Sequence, residues 1–416
     1  MTAPTIRPVR FLGMFNEIAR LGATEAGGVH RLAASAEDAA ARDRLTGWFT
    51  ALGMRTLIDP IGNMAGMLEL AGPNAPVVMA GSHLDSQPQG GRFDGALGVV
   101  AACEAASVLR DAAAAGKLSA RCNLAVTNWT SEEGARFQPS LLGSSVFVGG
   151  MAQAEALERI DRDGMALGEA LRAIGYSGQA TLPHPAAYVE LHIECGPLLE
   201  KAGDRLGVFT RYWGAVKHRL AFIGEQAHTG PTPMAERRDA LLGAAYLIAS
   251  LREMSEQAPG VLHTSTGRID VSPNSPNVVP AEAVLFVELR SVEPDVLAWA
   301  EAQLRQRATA AAAKACVTLD WRAVAHRPAG RFHQGVIAIC EEAARSVGVP
   351  ARRLATVPGH DAISLSSICP AAMLVVPSLG GVCHSAAEFT ADDDIVLGTE
   401  MLTRVLWCLC RYGVPE

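Results

Sequence analysis

The sequence predicts an α/β fold interrupted by a ferredoxin-like α+β insertion. Apolar runs of strand length alternate with long Ala/Leu-rich helical stretches, the pattern of layered α/β proteins. Between residues 212 and 326 that alternation gives way to strand, helix, two strands, helix, strand, which is the split β-α-β order of a small separate unit. Length agrees: 416 residues, 49% of them hydrophobic, exceed what one core usually holds. The predicted division is residues 1–211 with 327–416 as one domain and 212–326 as the other.

Taken in order, the chain opens on "MTAPTIRPVRFLGMFNEIARLG", which lacks the short apolar core and small-residue cleavage site of a secretory signal. No apolar run reaches the roughly 18 residues that span a bilayer, so a soluble, cytoplasmic protein with no membrane partner is expected. Four strand-like runs then end in polar clusters: "APVVMA" leads to Ser82, His83 and Asp85, "NLAVTNW" to Glu132 and Glu133, "AAYVELHIE" carries His192, and "AAMLVVPS" leads through "LGGVC" to His384. Ligands of open α/β sheets collect beyond the carboxyl ends of the strands, so the four clusters are expected to share one crevice. In the insertion the elements are "AVKHRLAFIG", a helix over "MAERRDALLGAAYLIASLREM", strands around "GRIDV" and "AVLFVELRS", a helix from Pro294 to about Lys314, and "CVTLDWRAV".

Composition excludes several classes of function. The net charge is −7 and no basic block tracks a phosphate backbone, so nucleic acid is not an expected partner. Nine cysteines are too few and scattered for a disulfide scaffold, and Cys408 and Cys410 lack a metal-site spacing. Their default is the buried thiol.

The chemistry concentrates in "GSHLDSQPQGGRFDGALGV". His83 and Asp85 lie two apart at a strand end and point to one side; Asp94 follows through a glycine-rich loop into a helix. Singly, His83 reads as a hydrogen-bonded strand-end histidine, Asp94 as a helix cap, and the pair Glu132 and Glu133 as a solvated helix start. Together, three histidines, an aspartate and a glutamate are nitrogen and oxygen donors suited to Zn²⁺, Mn²⁺, Co²⁺ or Ni²⁺. Five donors are too many for one catalytic ion and suit two, bridged by one carboxylate. One of the paired glutamates then binds metal while its neighbour takes a proton from water, and the Asp85 carboxylate accepts from the ring of His83.

These stretches, with "SEEGARFQPSLLGSSVF", "ELHIECGPLLE", "AHTGPTPMAERRDA" and "CHSAAEFT", resemble the hydantoinase/carbamoylase branch of the M20 metallopeptidase family over nearly the whole chain. The resemblance implies a mixed-sheet metallohydrolase domain with an inserted lid and dimerisation domain, two divalent ions per subunit, and a homodimer. It implies His83, Asp94 and His192 on one ion, Asp94, Glu133 and His384 on the other, and Glu132 as general base. Substrate binding is implied for His228, Asn277 and Arg290, typically at the site of the other subunit, and His360 in "PGHDA" reads as a wall residue. The chemistry of these side chains suits such roles: an arginine fork holds a carboxylate, Asn277 adds a donor, and a histidine can donate to an oxyanion.

The expected reaction is hydrolysis of a C–N bond in a small amide or ureido substrate bearing a carboxylate, foremost an N-carbamoyl-L-amino acid, giving amino acid, NH3 and CO2. Allantoate or another ureido acid is the neighbouring alternative. Two departures bear on it. Cys195 stands where the family usually has glutamine facing the substrate, which removes two donors and a strong acceptor, and Cys383 stands in place of serine. Two readings of other classes remain at this point: a metal-independent thiol amidase using Cys195 or Cys383, and a non-catalytic binding relative.

Overall fold

The four apolar runs that end in polar clusters become the parallel centre of one mixed sheet. The computed structural model describes residues 5–415. Its strands are β1 (Arg55–Ile58), β2 (Met64–Leu68), β3 (Val77–His83), β4 (Asn123–Trp129), β5 (Pro185–Ile193), β6 (Gly207–Tyr212), β7 (Gly214–Ile223), β8 (Ala227–His228), β9 (Leu262–Ser272), β10 (Val278–Val279), β11 (Glu282–Ser291), β12 (Thr318–Arg327), β13 (Gly330–Arg331), β14 (Arg352–Thr356) and β15 (Ala371–Val376). They fall into two units. The first takes the described residues up to Thr210, Phe332–Leu354 and those from Pro358 onward; the second takes Arg211–Arg331 and Ala355–Val357.

In the first unit the order is β1-β2-β4-β3-β5-β15-β6, with β14 beside β6. β4, β3, β5 and β15 run parallel, while β1, β2 and β6 join antiparallel. Every residue of β3, β4 and β15 is buried, as parallel strands covered on both faces require. The helix Ala96–Ala114 is buried without interruption from Ala96 to Leu109, so it is a core helix rather than a surface one, and the helix Asp392–Tyr412 packs against it. The one charge in its buried stretch, Glu104, accepts from Arg10 Nε at 2.6 Å and Nη2 at 2.8 Å. That two-pronged pairing offsets the cost of removing a carboxylate from water. Among the described residues no helix is long and apolar enough to cross a membrane.

The second unit is a four-stranded antiparallel sheet in the order β12-β7-β11-β9, with the helices Ala240–Glu256 and Pro294–Lys314 packed on it around Leu220, Phe222, Leu247, Leu285 and Leu304. Its edges differ from those read in the sequence, 212 and 326. β13 pairs Gly330 with Tyr212 and Arg331 with Arg211, which carries the unit to Arg331. Trp213 N donates to Thr356 O at 2.9 Å, which draws in residues 355–357. The first helix also starts later than its pattern: residues 234–236 form a 3-10 turn, and Asp239 caps the helix by accepting from Leu242 N at 3.0 Å.

Candidate metal centre

Because β3, β4, β5 and β15 are parallel, their carboxyl ends lie along one edge of the sheet. His83 is the last residue of β3 and His192 the last but one of β5; Glu132 and Glu133 follow β4, and His384 follows β15 through the turn Leu379–Gly381. Asp94 sits between β3 and the core helix. It does not cap that helix, whose N-cap is Gly95 without any side-chain bond, and its carboxylate turns instead to the histidines.

Both oxygens of Asp94 are engaged on opposite sides. Oδ1 lies 3.0 Å from His192 Nε2 and 3.5 Å from His83 Nε2; Oδ2 lies 3.2 Å from His384 Nε2, which is also 3.2 Å from Glu133 Oε2. His83, Asp94 and His192 thus gather three ligand atoms within 4.8 Å of one another, and so do Asp94, Glu133 and His384. Glu132 stays outside both trios, with Oε2 3.5 Å from His83 Nε2. The buried Nε2 of His192 makes no well-aligned hydrogen bond despite its nearness to Asp94, an arrangement that fits two ligands of one ion. Imidazole and carboxylate donors in this number fit divalent ions of the zinc and manganese type.

The supporting contacts were only partly legible in the sequence. The ring of His83 is held by Asp85, but through its main-chain oxygen, 2.9 Å from Nδ1. The Asp85 carboxylate, expected in that role, is 3.9 Å away and accepts instead from the backbone N–H groups of Glu132 and Glu133 at 3.2 and 3.3 Å. The competing main-chain donors win it. Glu133 is oriented by Gln87, whose N and Nε2 donate to its two oxygens at 3.1 and 3.0 Å.

Glu388, which sequence reasoning missed, is buried and accepts from the N–H groups of Phe93 and Asp94 at 2.9 and 3.1 Å. A Cβ at Gly91 would meet its carboxylate at 1.9 Å, which explains that glycine. Gly95, at φ +66, leaves room for the His83 ring, whose Nε2 would lie 2.4 Å from a Cβ there. Glu190, also missed, accepts from Ser82 Oγ at 2.6 Å and Ala362 N at 2.8 Å. His360 is buried with its ring edge-on to His192, centroids 4.6 Å apart.

The electrostatics follow from this crowding. Burial works against the charge on Asp94, yet His192, His384 and His83 outweigh it and hold its carboxyl well below the usual range. Glu132 goes the other way: burial, joined by the like charges of Asp361, Glu133 and Asp94, pushes it well above the usual range against the pull of His83. Two carboxylates in one pocket are thereby set apart, one as anion and one ready to hold a proton.

Cys195 and Cys383 meet at this site. Cys383 Sγ lies 3.1 Å from Asp94 Oδ2 and 2.7 Å from Cys195 Sγ. The contact with Cys383 pulls the Cys195 thiol down, but burial and the charges of Asp94, Glu388 and Glu133 leave it lifted to about 12. His192 Nδ1, 4.0 Å from that sulfur, is engaged by Ile193 O at 2.9 Å and is not free as a base. A thiol amidase needs a histidine free to act as base beside its sulfur, and His192 does not supply one.

In the second unit, the strands β8 and β10 set His228 opposite Val278, which brings it beside Asn277. Gly230 N donates to His228 Nδ1 at 3.0 Å, so the ring proton is placed on Nε2, facing outward as a donor. Arg290 does not stand free: Nε and Nη2 donate to Glu288 Oε1 at 3.0 and 2.9 Å, and Nη1 to Val357 O at 2.9 Å. His218 is buried with Nε2 3.0 Å from Glu301 Oε1, and its burial lowers its affinity for a proton despite the pull of Glu301.

Residues 79–407, which span every group of the site, match the profile of peptidase family M20/M25/M40. The chain belongs to that family. A protein of Mycolicibacterium smegmatis is 42% identical over 97% of this chain and 93% of its own length. An N-carbamoyl-L-amino acid amidohydrolase of Geobacillus stearothermophilus is 33% identical over 95% of this chain and 97% of its own, and an allantoate amidohydrolase of Bacillus subtilis 32% identical over 94% and 95%. The crystal structure of an amidase of the hydantoinase/carbamoylase family from Burkholderia vietnamiensis covers all of both chains with a TM-score of 0.93 at 34% identity. The family read from the motifs is therefore the right one, and the mixed α/β fold is the fold of its M20 relatives.

Proposed function

We propose that this M20 protein is a metal-dependent amidohydrolase that cleaves a C–N bond in a small amide or ureido substrate carrying a carboxylate, with N-carbamoyl-L-amino acids as the leading class. The observation that carries the reading is Asp94, whose two oxygens each face a separate histidine-containing trio while Glu132 stands beside them uncommitted. His83, Asp94 and His192 would hold one divalent ion, and Asp94, Glu133 and His384 a second. Such ions, when bound, supply Lewis acidity for the carbonyl and make water nucleophilic at neutral pH.

The chain's own residues do the rest. Glu132 takes a proton from the attacking water and returns it to the leaving nitrogen, the work for which its raised affinity for a proton suits it. His228 donates from Nε2 to the oxygen that becomes negative. Arg290 and Asn277 hold the substrate carboxylate, which requires Arg290 to exchange its Glu288 partner for the ligand. With a carbamoyl substrate, water adds across the C–N bond and the products are the amino acid, NH3 and CO2. In this reading the second unit is the lid and dimerisation unit of a homodimer, and its substrate-binding groups serve the other subunit. Relatives named for N-carbamoyl-L-amino acids and for allantoate support the reaction class, and Cys195 is the residue by which this chain chooses among such substrates.

The test is metal content by elemental analysis, paired with turnover of N-carbamoyl-L-amino acids, allantoate and simple amides before and after chelation. About two ions per chain are expected, with turnover lost on chelation and restored by a divalent ion. Turnover that survives complete metal removal would end the proposal. Arg290→Ala is expected to raise KM for carboxylate substrates about 10- to 100-fold, the cost of hydrogen bonds to a charged group, and to leave KM for a neutral amide unchanged; an equal rise for both removes Arg290 from carboxylate binding.

A further inference from the structure

The two sulfurs at the rim of the site, both free thiols, lie 2.7 Å apart, well inside the contact distance of two non-bonded sulfur atoms though longer than the roughly 2.05 Å of a disulfide. They come from separate parts of the chain, Cys195 from the turn after β5 and Cys383 from the segment after β15. Both are partly exposed, as is Cys408, and Cys316 is exposed; Cys103, Cys122, Cys340, Cys369 and Cys410 are buried. A small reagent therefore has access to this pair. Cys383 is also a direct neighbour of the site's central carboxylate, donating from Sγ to Asp94 Oδ2 at 3.1 Å, and it immediately precedes His384.

We propose that Cys195 and Cys383 are a modification site, closing a reversible disulfide by exchange with a low-molecular-weight disulfide, and that closure turns the hydrolase site down. One sulfur gives up its proton and attacks the small disulfide, whose S–S bond breaks and whose departing sulfur takes up a proton as one small thiol. The second sulfur attacks the resulting mixed disulfide, forms the Cys195–Cys383 bond and releases the second small thiol with the second proton. The two cysteines are oxidised by two electrons and the reagent is reduced by two. Closure removes the S–H donor from Asp94 Oδ2 and ties the His384 segment to the end of β5, so it acts on a carboxylate and a histidine of the same trio. The loss of activity rests on the hydrolase reading; the cross-link does not.

The experiment uses the purified protein with its metal, incubated to end point with oxidised glutathione. Remaining thiols are alkylated, the protein is digested without reduction, and the peptides are weighed. A linked pair of peptides containing Cys195 and Cys383 is expected, with two of the nine cysteines withdrawn from alkylation and both restored by dithiothreitol. Cys383→Ser and, separately, Cys195→Ser are each expected to abolish the linked pair. Turnover is expected to fall about tenfold on closure, the scale of one lost hydrogen bond to a charged group, and to recover on reduction. Both peptides recovered alkylated, or each carrying its own glutathione, would overturn the disulfide; a linked pair with full turnover would overturn the control of activity. If no C–N substrate is turned over in either state, the hydrolase reading fails while the peptide masses still decide the cross-link.

Discussion

Glu132→Gln is expected to lower kcat about 10²- to 10⁴-fold, the range for removing a general acid–base group, with metal content and fold unchanged. Glutamine matches glutamate in shape, and the backbone contact that positions residue 132, its N–H on Asp85 Oδ1 at 3.2 Å, does not involve the side chain. Nothing in either metal-fitting trio is altered. The amide cannot accept the proton of the attacking water, so the loss belongs to kcat rather than to binding. Kinetics at saturating substrate with elemental analysis of the same sample checks this. Near-normal kcat would take the proton away from Glu132; a normal kcat loss accompanied by metal loss would place Glu132 among the ligands instead.

Asp94→Ala is expected to have a different signature: metal content falls from about two ions per chain to less than one, and turnover falls with it. Asp94 is the one group common to both trios, so its removal takes an oxygen from each. It also takes from two buried histidines a carboxylate that joins Glu132 in offsetting the burial of His83 and leads in offsetting that of His192. Some loss of folding stability should accompany the metal loss, since one partner of a buried charged cluster is gone. Thermal unfolding of the variant beside the parent separates the two effects: a folded variant without metal supports the shared-ligand role, and a folded variant with unchanged metal removes it.

These two residues show how far the sequence could be read. Glu132 and Glu133 are adjacent and chemically alike, and spacing alone could not say which binds an ion; the fold separates them by aiming Glu133 at His384 and Gln87 and leaving Glu132 near His83. Asp94 looked like a helix cap because it stands next to a helix start. It proves otherwise because Gly95, in a left-handed conformation, takes the cap position and turns the chain. Asp85 was placed beside His83 correctly, but with the wrong atom, since period-2 geometry gives the side of a strand and says nothing of whether carbonyl or carboxylate is nearer.

Glu388 and Glu190 went unread for another reason. Each bonds to main-chain N–H groups far away in sequence, and a carboxylate's backbone partners carry no side-chain signature. The partial clue was steric: Gly91 and Gly95 sit among the glycines of one loop, and a close approach by something large was the physical reason to expect them.

The sequence by itself determined the α/β alternation, the β-α-β-β-α-β order of the insertion and the set of polar residues at four strand ends, because hydrophobic periodicity and strand-end chemistry are local properties of the chain. Only the tertiary structure decided that the four ends share one edge, that Asp94 faces both trios, that the small unit reaches Arg331 and takes in residues 355–357, and that Cys195 meets Cys383. Each of those depends on strand order and on backbone hydrogen bonds between distant segments, and neither is encoded in any single stretch of residues.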